Sequence, residues 1–427
     1  MTFPLTPVES WTTRRLEGLS LSSSEDLGKP LHLESRKKLE EAQERALRHL
    51  IRGAVKDTLF YRERLQGLEE APLKELPLTL PSDLQEREFA FLGTSQSRIE
   101  RRVSLSSSGT RSPSKRLGFT REELRKTEDF FLYGMSTFTP PRSVVGIFME
   151  GSRPWSIGDL LKRALERMDC TPRIFGLVED PLRAAAWMEK VRPRVVVGLP
   201  SHMAFLAGET LWTPETVLLS ADIAPRALRK RIEKKWHCKV YNHYGLTESG
   251  WGCAVECAAR GGCHVRELDL LLEILDSRGE KVPEGSWGEV VLTTLGRPSF
   301  PLIRYRTGDR GRFLSGTCSC GSVLKRLEVS GRLPLKGAEG IPLHLEEVEN
   351  ILWDFDAIRD FSLLLRHEGS LPAELVAVLG ISEKAGLPLE TIEKALRCVP
   401  GMPPRILLEK SPELFLQHSG IKRDWNN

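Results

Sequence analysis

The sequence predicts an α/β protein in which a large N-terminal domain, with a doubly wound parallel sheet and a β-rich subdomain, precedes a small α+β C-terminal domain. Three observations predict it. Short apolar runs alternate with helical spacing from residue 143 to residue 241, helical spacing stops past residue 265, and a mixed order of helices and strands resumes after Gly331. A chain of 427 residues also exceeds one ordinary core, so two or more domains are expected.

The first thirty residues are Ser/Thr-rich and weakly patterned, and read as an extended arm. Over 35–52, Leu39, Ala42, Ala46, Leu47, Leu50 and Ile51 recur at helical spacing among charges, the pattern of an amphipathic surface helix. Ser143–Phe148 reads as a strand, followed by a helix whose buried face holds Leu160, Leu161, Ala164, Leu165 and Met168. Strands at 173–175, 194–198, 216–219 and 239–241 then alternate with helices at 181–192 and around Leu228, Ile232 and Trp236. Short apolar strands separated by helices make a parallel sheet covered on both faces, whose ligands sit beyond the carboxyl ends of the strands. The loop after Tyr241 is therefore the first place to look for a site. Strands at 268–275 and 289–295 turn through Pro283-Glu284-Gly285. A helix at 345–354, strands at 359–366 and 373–381, a helix at 388–397 and a strand at 405–409 complete a βαββαβ-like unit. The expected domains are 1–330, with a helical arm over 1–100, and a mobile 331–427.

Lys+Arg of 62 against Asp+Glu of 58 leaves a net charge of +4, which gives no global reason to expect nucleic acid or an anionic membrane as partner. No apolar run approaches the ~20 residues of a membrane helix, and Met1–Thr6 lacks the plan of a signal peptide, so a cytoplasmic protein is expected. A homodimer is an open expectation.

Three segments carry the chemistry. In Ser106–Arg116, small hydroxyl residues around Gly109, followed by Lys115, can wrap nucleotide phosphates through Ser107, Ser108, Gly109 and Thr110; alone, such a run equally suits a solvated linker. In Tyr241–Glu248, Tyr244 offers adenine a flat face beside Gly245, Thr247 offers the α-phosphate a hydroxyl, and Glu248 offers Mg²⁺ a hard oxygen. In Tyr305–Asp309, an Asp behind a tight Gly turn can accept both ribose hydroxyls, or simply cap a β-turn.

Together, in this order, the three segments resemble the adenylate-forming superfamily of acyl-CoA synthetases, adenylation domains and luciferases, and within it the phenylacetate–CoA ligase family. The resemblance begins at Phe60–Leu65 and Leu76–Leu80 and covers nearly the whole chain. It implies ATP-dependent activation of a carboxylic acid, aryl or otherwise apolar, as its acyl-adenylate, then transfer to coenzyme A with release of AMP and pyrophosphate. It also implies that Ala221 and Asp222 line the adenine side, that Lys115 lies near pyrophosphate, that Arg332 opens the domain junction, and that Lys422 supplies the adenylation lysine. Arg111 and Ser112 replace the usual Thr and Gly of the phosphate loop, and Leu333-Pro334 replaces the acidic hinge. Two other classes fit the same motifs: an adenylyltransferase that leaves AMP on its acceptor, and a degenerate nucleotide-binding regulator.

Five of the eight cysteines crowd between 253 and 320. Cys257, His264, Cys318 and Cys320 make a three-thiolate, one-imidazole set suited to closed, structural Zn²⁺, with Cys253 and Cys263 as substitutes; reduced buried thiols are the other reading.

Overall fold

A computed structural model of the chain describes residues 3–19, 30–105, 115–368, 371–381, 386 and 388–411. Helices of eight residues or more are numbered here. The chain enters through α1 (Pro7–Leu16) and α2 (Arg36–Asp57), then an antiparallel pair, β1 (Ile99–Leu105) and β2 (Lys115–Thr120), and α3 (Arg121–Ser136). Thr120 and Glu123 close a reciprocal capping box that starts α3. Leu105 pairs with Lys115, so β1 and β2 fix both ends of residues 106–114.

Next come β3 (Val144–Phe148), α4 (Ile157–Glu166), β4 (Thr171–Ile174), α5 (Pro181–Val191), β5 (Val195–Gly198), α6 (Pro200–Glu209), β6 (Thr216–Leu219), α7 (Arg226–Trp236) and β7 (Lys239–Tyr244). These strands are parallel, and β5 and β6 are buried throughout, as a sheet covered on both faces requires. The sheet continues through β8 (Ala254–Glu256), β9 (Cys263–Val265), β10 (Leu271–Leu275), β11 (Gly288–Thr293), β12 (Tyr305–Phe313) and β13 (Arg326–Arg332). The β-rich portion expected as a subdomain thus continues the parallel sheet through hydrogen-bonded strands. The eleven strands run β10-β11-β12-β13-β9-β8-β7-β6-β5-β3-β4. Pairing changes from parallel to antiparallel at β7, which has β6 on one side and β8 on the other.

Beyond Arg332 lie the short pair β14 (Leu335–Lys336) and β15 (Pro342–Leu343), then α8 (Leu345–Asp354), β16 (Ile358–Glu368), β17 (Leu371–Ile381), α9 (Leu389–Leu396) and β18 (Arg405–Lys410). β17 pairs antiparallel with β16 and parallel with β18. This unit rests on α7. Asn350 Oδ1 accepts from the Ala227 amide at 2.9 Å, and Arg231 donates to the carbonyls of Ile358 and Asp356 at 2.6 and 2.7 Å.

The expected extended arm is instead partly helical. α1 buries Val8 and Trp11, and its Thr12 and Thr13 hydroxyls donate back to the Val8 and Glu9 carbonyls. With few apolar residues the helix has little periodicity to read, and its Ser/Thr content argues locally for loops. α6 escaped the sequence reading for the opposite reason: Pro200–Ala207 is buried all round, so no polar face marks it.

Candidate active site

The site forms where β7 changes partners. Gly245 follows the strand because nothing larger fits: a Cβ there would lie 1.9 Å from the Trp251 carbonyl oxygen. Tyr244 donates its hydroxyl to Asp309 Oδ2 at 2.7 Å, and Arg332 Nη1 donates to Asp309 Oδ1 at 3.1 Å and to the Thr307 carbonyl at 2.8 Å. The β12–β13 register sets Asp309 opposite Arg332, after a Gly308 at φ +74°. Burial pushes the Asp309 carboxyl upward against the pull of Arg332, and burial followed by the Asp309 charge pushes the Tyr244 phenol well up, so the phenol remains a donor. Ala221 at φ +67° turns the chain after β6. A cavity of about 740 Å³ is lined by Ala221, Asp222, Tyr244, Gly245, Asp309 and Arg332, six of the residues expected from sequence to hold a nucleotide.

Glu248 is buried in a neighbouring cluster. Its Oε1 accepts from Tyr305 Oη at 3.0 Å and Lys115 Nζ at 3.3 Å, and Lys115 Nζ is itself 3.0 Å from Tyr305 Oη. Arg297 donates to the Glu248 carbonyl at 2.6 Å and to the Gly118 carbonyl at 3.1 Å, tying the Glu248 turn to β2. The Arg297 guanidinium lies 4.2 Å over the Phe119 ring and is lowered to about 10 by burial. Thr247 is half-buried. Ser107, Ser108, Gly109, Thr110 and Lys422 lie outside the described residues. Sequence reading named the Tyr305 motif but gave its phenol no role, and missed Arg297. Their partners stand 57 and 49 positions away, beyond any local pattern.

A second cavity, about 30 Å³, opens between α3, α4 and the sheet. Its walls are apolar except for Ser220 and His243, and His243 also lines the large cavity. Ser220 Oγ and His243 Nδ1 are 2.8 Å apart. Burial and then the nearby Arg266 charge lower His243 to about 4, so the ring is neutral near pH 7. Of Phe148, Trp155, His243 and Trp251, aromatic side chains in segments that could border an acyl pocket, only His243 lines it. Phe148 packs with Phe175 and Trp187, Trp155 donates to Glu100, and Trp251 stacks on Phe119 at 4.6 Å.

Cys257, His264, Cys318 and Cys320 are all buried, with their ligand atoms within 4.8 Å of one another. Cys257 and Cys318 Sγ are 3.7 Å apart, and Cys320 Sγ is 3.5 Å from His264 Nε2. Tetrahedral bonds of about 2.3 Å to sulfur and 2.0 Å to nitrogen put ligand atoms about 3.5–3.8 Å apart, so the donor set fits zinc in both type and spacing. Hydrogen bonding to Cys257 and, against the opposing effect of burial, to His264 pulls the Cys320 thiol down. Cys253 and Cys263 are buried outside this group, and Cys263 donates to the Asn242 carbonyl.

No protein-family model matches the chain. Its sequence is 28% identical over 79% of its length to a phenylacetate–coenzyme A ligase of Thermus thermophilus, 80% of which is covered. A shorter match, 34% identical over 30% of this chain and 31% of the relative, is to the phenylacetate–coenzyme A ligase of Escherichia coli. Among solved structures, 2-hydroxyisobutyryl-CoA ligase with 2-HIB-AMP in its postadenylation state superposes with a TM-score of 0.75 at 18% identity, covering 90% of this chain and 91% of that one. The same enzyme with 2-HIB-AMP and CoA in its thioesterification state gives 0.65 at 20% identity, over 89% and 88%. The fold is therefore that of the adenylate-forming CoA ligases. In sequence the chain is similar to phenylacetate–coenzyme A ligases.

Proposed function

We propose that the protein activates a carboxylic acid with ATP as its acyl-adenylate and passes the acyl group to coenzyme A, releasing AMP and pyrophosphate. The observation that supports this most directly is the meeting of a large polar cavity and a small apolar one at His243. A nucleoside fits the first and the tail of an acid the second, which places a carboxylate beside the α-phosphate for attack. Such a step depends mainly on positioning and charge stabilisation.

Asp309 keeps lone pairs free after accepting from Tyr244 and Arg332, enough to take the ribose hydroxyls. Tyr244 and the Ala221–Asp222 turn border the base, and the Thr247 hydroxyl faces the α-phosphate. Glu248, with Oε1 held by Tyr305 and Lys115, is the residue here that would hold Mg²⁺, which when bound offsets phosphate charge. Lys115 and, from the C-terminal segment, Lys422 supply further positive charge to the phosphates. The unit after Gly331 is taken to move between the two half-reactions. Zn²⁺ at Cys257, His264, Cys318 and Cys320 would be structural, since four protein ligands leave no open position. The loop between the first two ligands supplies Arg260, Gly261 and Gly262 to the wall of the large cavity, so the cluster supports the nucleotide side of the site.

The deciding experiment is acid-dependent ATP–pyrophosphate exchange followed by thioester and AMP measurement with coenzyme A. Exchange without any thioester would instead favour an adenylyltransferase, and no exchange with any acid would remove the enzyme reading.

A further inference from the structure

His243 sits between two phenyl rings, 6.0 Å from Phe130 and 6.0 Å from Phe131, centroid to centroid. Its Nε2 is buried and has no hydrogen-bond partner in the protein. A buried polar atom of this kind is costly unless something meets it. When the ring carries its proton on Nε2, Ser220 can donate to Nδ1, and the one unmet group is an N–H donor on a residue shared by the two cavities. An oxygen acceptor there completes the set.

The apolar cavity is small. Its volume of about 30 Å³ is far below the roughly 150 Å³ of a cavity that holds a benzene ring. Phe131, Leu161 and Val197 are buried in the packed core around it. Met135 and Met149, also in the lining, are the unbranched side chains able to shift. A short alkyl chain asks only for such shifts. A phenyl ring asks for displacement of Phe131 or Leu161, and close-packed interiors resist that.

Resting on the proposed function, we propose that the acid is a short aliphatic carboxylic acid of about two to four carbons beyond its carboxyl, whose carboxylate is held by the Nε2–H of His243. The unpartnered nitrogen accounts for the carboxylate, and the cavity volume accounts for the tail. Neutrality of the ring lets the acid bind without an ion pair that attack on phosphorus would have to break.

The test is ATP–pyrophosphate exchange with the full chain, using propionate, butyrate, isobutyrate, benzoate and phenylacetate. The short acids should exceed phenylacetate in kcat/KM by about tenfold or more, the scale of discrimination an apolar pocket reaches. Leu161→Ala should narrow or reverse that ratio. His243→Leu should raise KM for the acid about tenfold and by more than KM for ATP, and His243→Gln, which keeps an N–H near the same place, should recover part of the loss in acid KM; melting curves establish that each variant folds. Phenylacetate as the best wild-type substrate would overturn the size argument. Equal acid KM in His243→Leu and wild type would overturn the role of the imidazole. ATP binding by calorimetry with no exchange for any acid would remove the proposed function itself, and this inference with it.

Discussion

The two cavities that share His243 are built on opposite principles. The larger, about 740 Å³, is lined by side chains already committed to one another, such as Tyr244, Asp309 and Arg332. The smaller, about 30 Å³, is walled by apolar side chains with one polar pair among them. A nucleotide has fixed hydrogen-bonding groups, so its side of the site consists of particular residues at particular spacings. An alkyl or aryl tail asks only for shape, which many combinations of Leu, Met, Val and Phe provide. The first kind of cavity writes itself into sequence motifs, and the second does not.

The largest effect should come from the nucleotide side. Glu248→Gln should lower pyrophosphate exchange by roughly 100-fold or more, the scale for losing one preorganised charge-stabilising group, while leaving the melting temperature nearly unchanged. Lys422→Ala should lower kcat to a similar degree with ATP affinity retained, because the lost contact belongs to the transition state. Turnover at the wild-type rate in either variant would remove that residue from the chemistry.

The cysteine cluster separates the two cavities in a different way. Cys320→Ser should abolish bound zinc, measured by metal analysis, and lower the melting temperature by about 10 °C, since metal binding energy is also folding energy. KM for ATP should rise more than KM for the acid, because the loop from Arg260 to Gly262 borders only the larger cavity. Equal changes in both would mean that the cluster stabilises the whole sheet rather than one wall.

Asp269, which lines neither cavity, is buried and bonded to Arg15 at 2.6 and 2.9 Å. Burial alone would raise its carboxyl, but the Arg15 charge and hydrogen bonds, with Arg266, hold it down at about 2. A carboxyl lowered in the folded state stabilises the fold fully above its unfolded value near 3.9, and that stabilisation is lost as the pH falls toward 2. The loss amounts to about 2 kcal/mol. Urea unfolding between pH 6 and pH 2.5 should show this decline, and Asp269→Asn should be less stable throughout with a flatter acid limb.

The smallest effect concerns the junction. Leu333 donates its amide to the Gly308 carbonyl at 2.9 Å, and Pro334 restricts it further. Pro334→Ala should speed thioester formation about twofold to fivefold in single-turnover measurements, with adenylation unchanged. No change would place the rate limit elsewhere.

How much of this was legible follows the same divide. The end of β7 and the β12 turn could be read because Tyr244, Gly245, Glu248 and Asp309 lie in two short contiguous runs. The seven strands β3 to β7, β10 and β11 were legible in part, through runs such as Val195–Val197 and Thr216–Leu219 bounded by helical spacing. The Lys115–Glu248–Tyr305 triangle was not, because its members are 133, 57 and 190 positions apart. Nor was the small cavity, whose lining from Phe130 to Val255 consists of residues that would suit any core. The continuity of the sheet through β7 and β8 was hidden too, since a strand of three residues carries almost no pattern.

The N-terminal segment has a consequence for how the protein is made. Glu9 accepts the Val323 amide 314 positions away, Arg15 pairs with Asp269, and Arg36 pairs with Glu267. Every one of these partners leaves the ribosome long after α1 does. At ~5–20 residues per second the wait is roughly 15–60 s, far longer than the roughly microsecond in which a helix forms and frays. During translation Trp11 can pack on Phe130 and Tyr133 as soon as α3 emerges, whereas the polar contacts of Glu9, Arg15 and Arg36 wait for partners far downstream and belong to the closing stage of folding. A nascent chain halted before residue 267 should leave Arg15 and Arg36 without their carboxylates, and one released beyond residue 325 should make all three contacts.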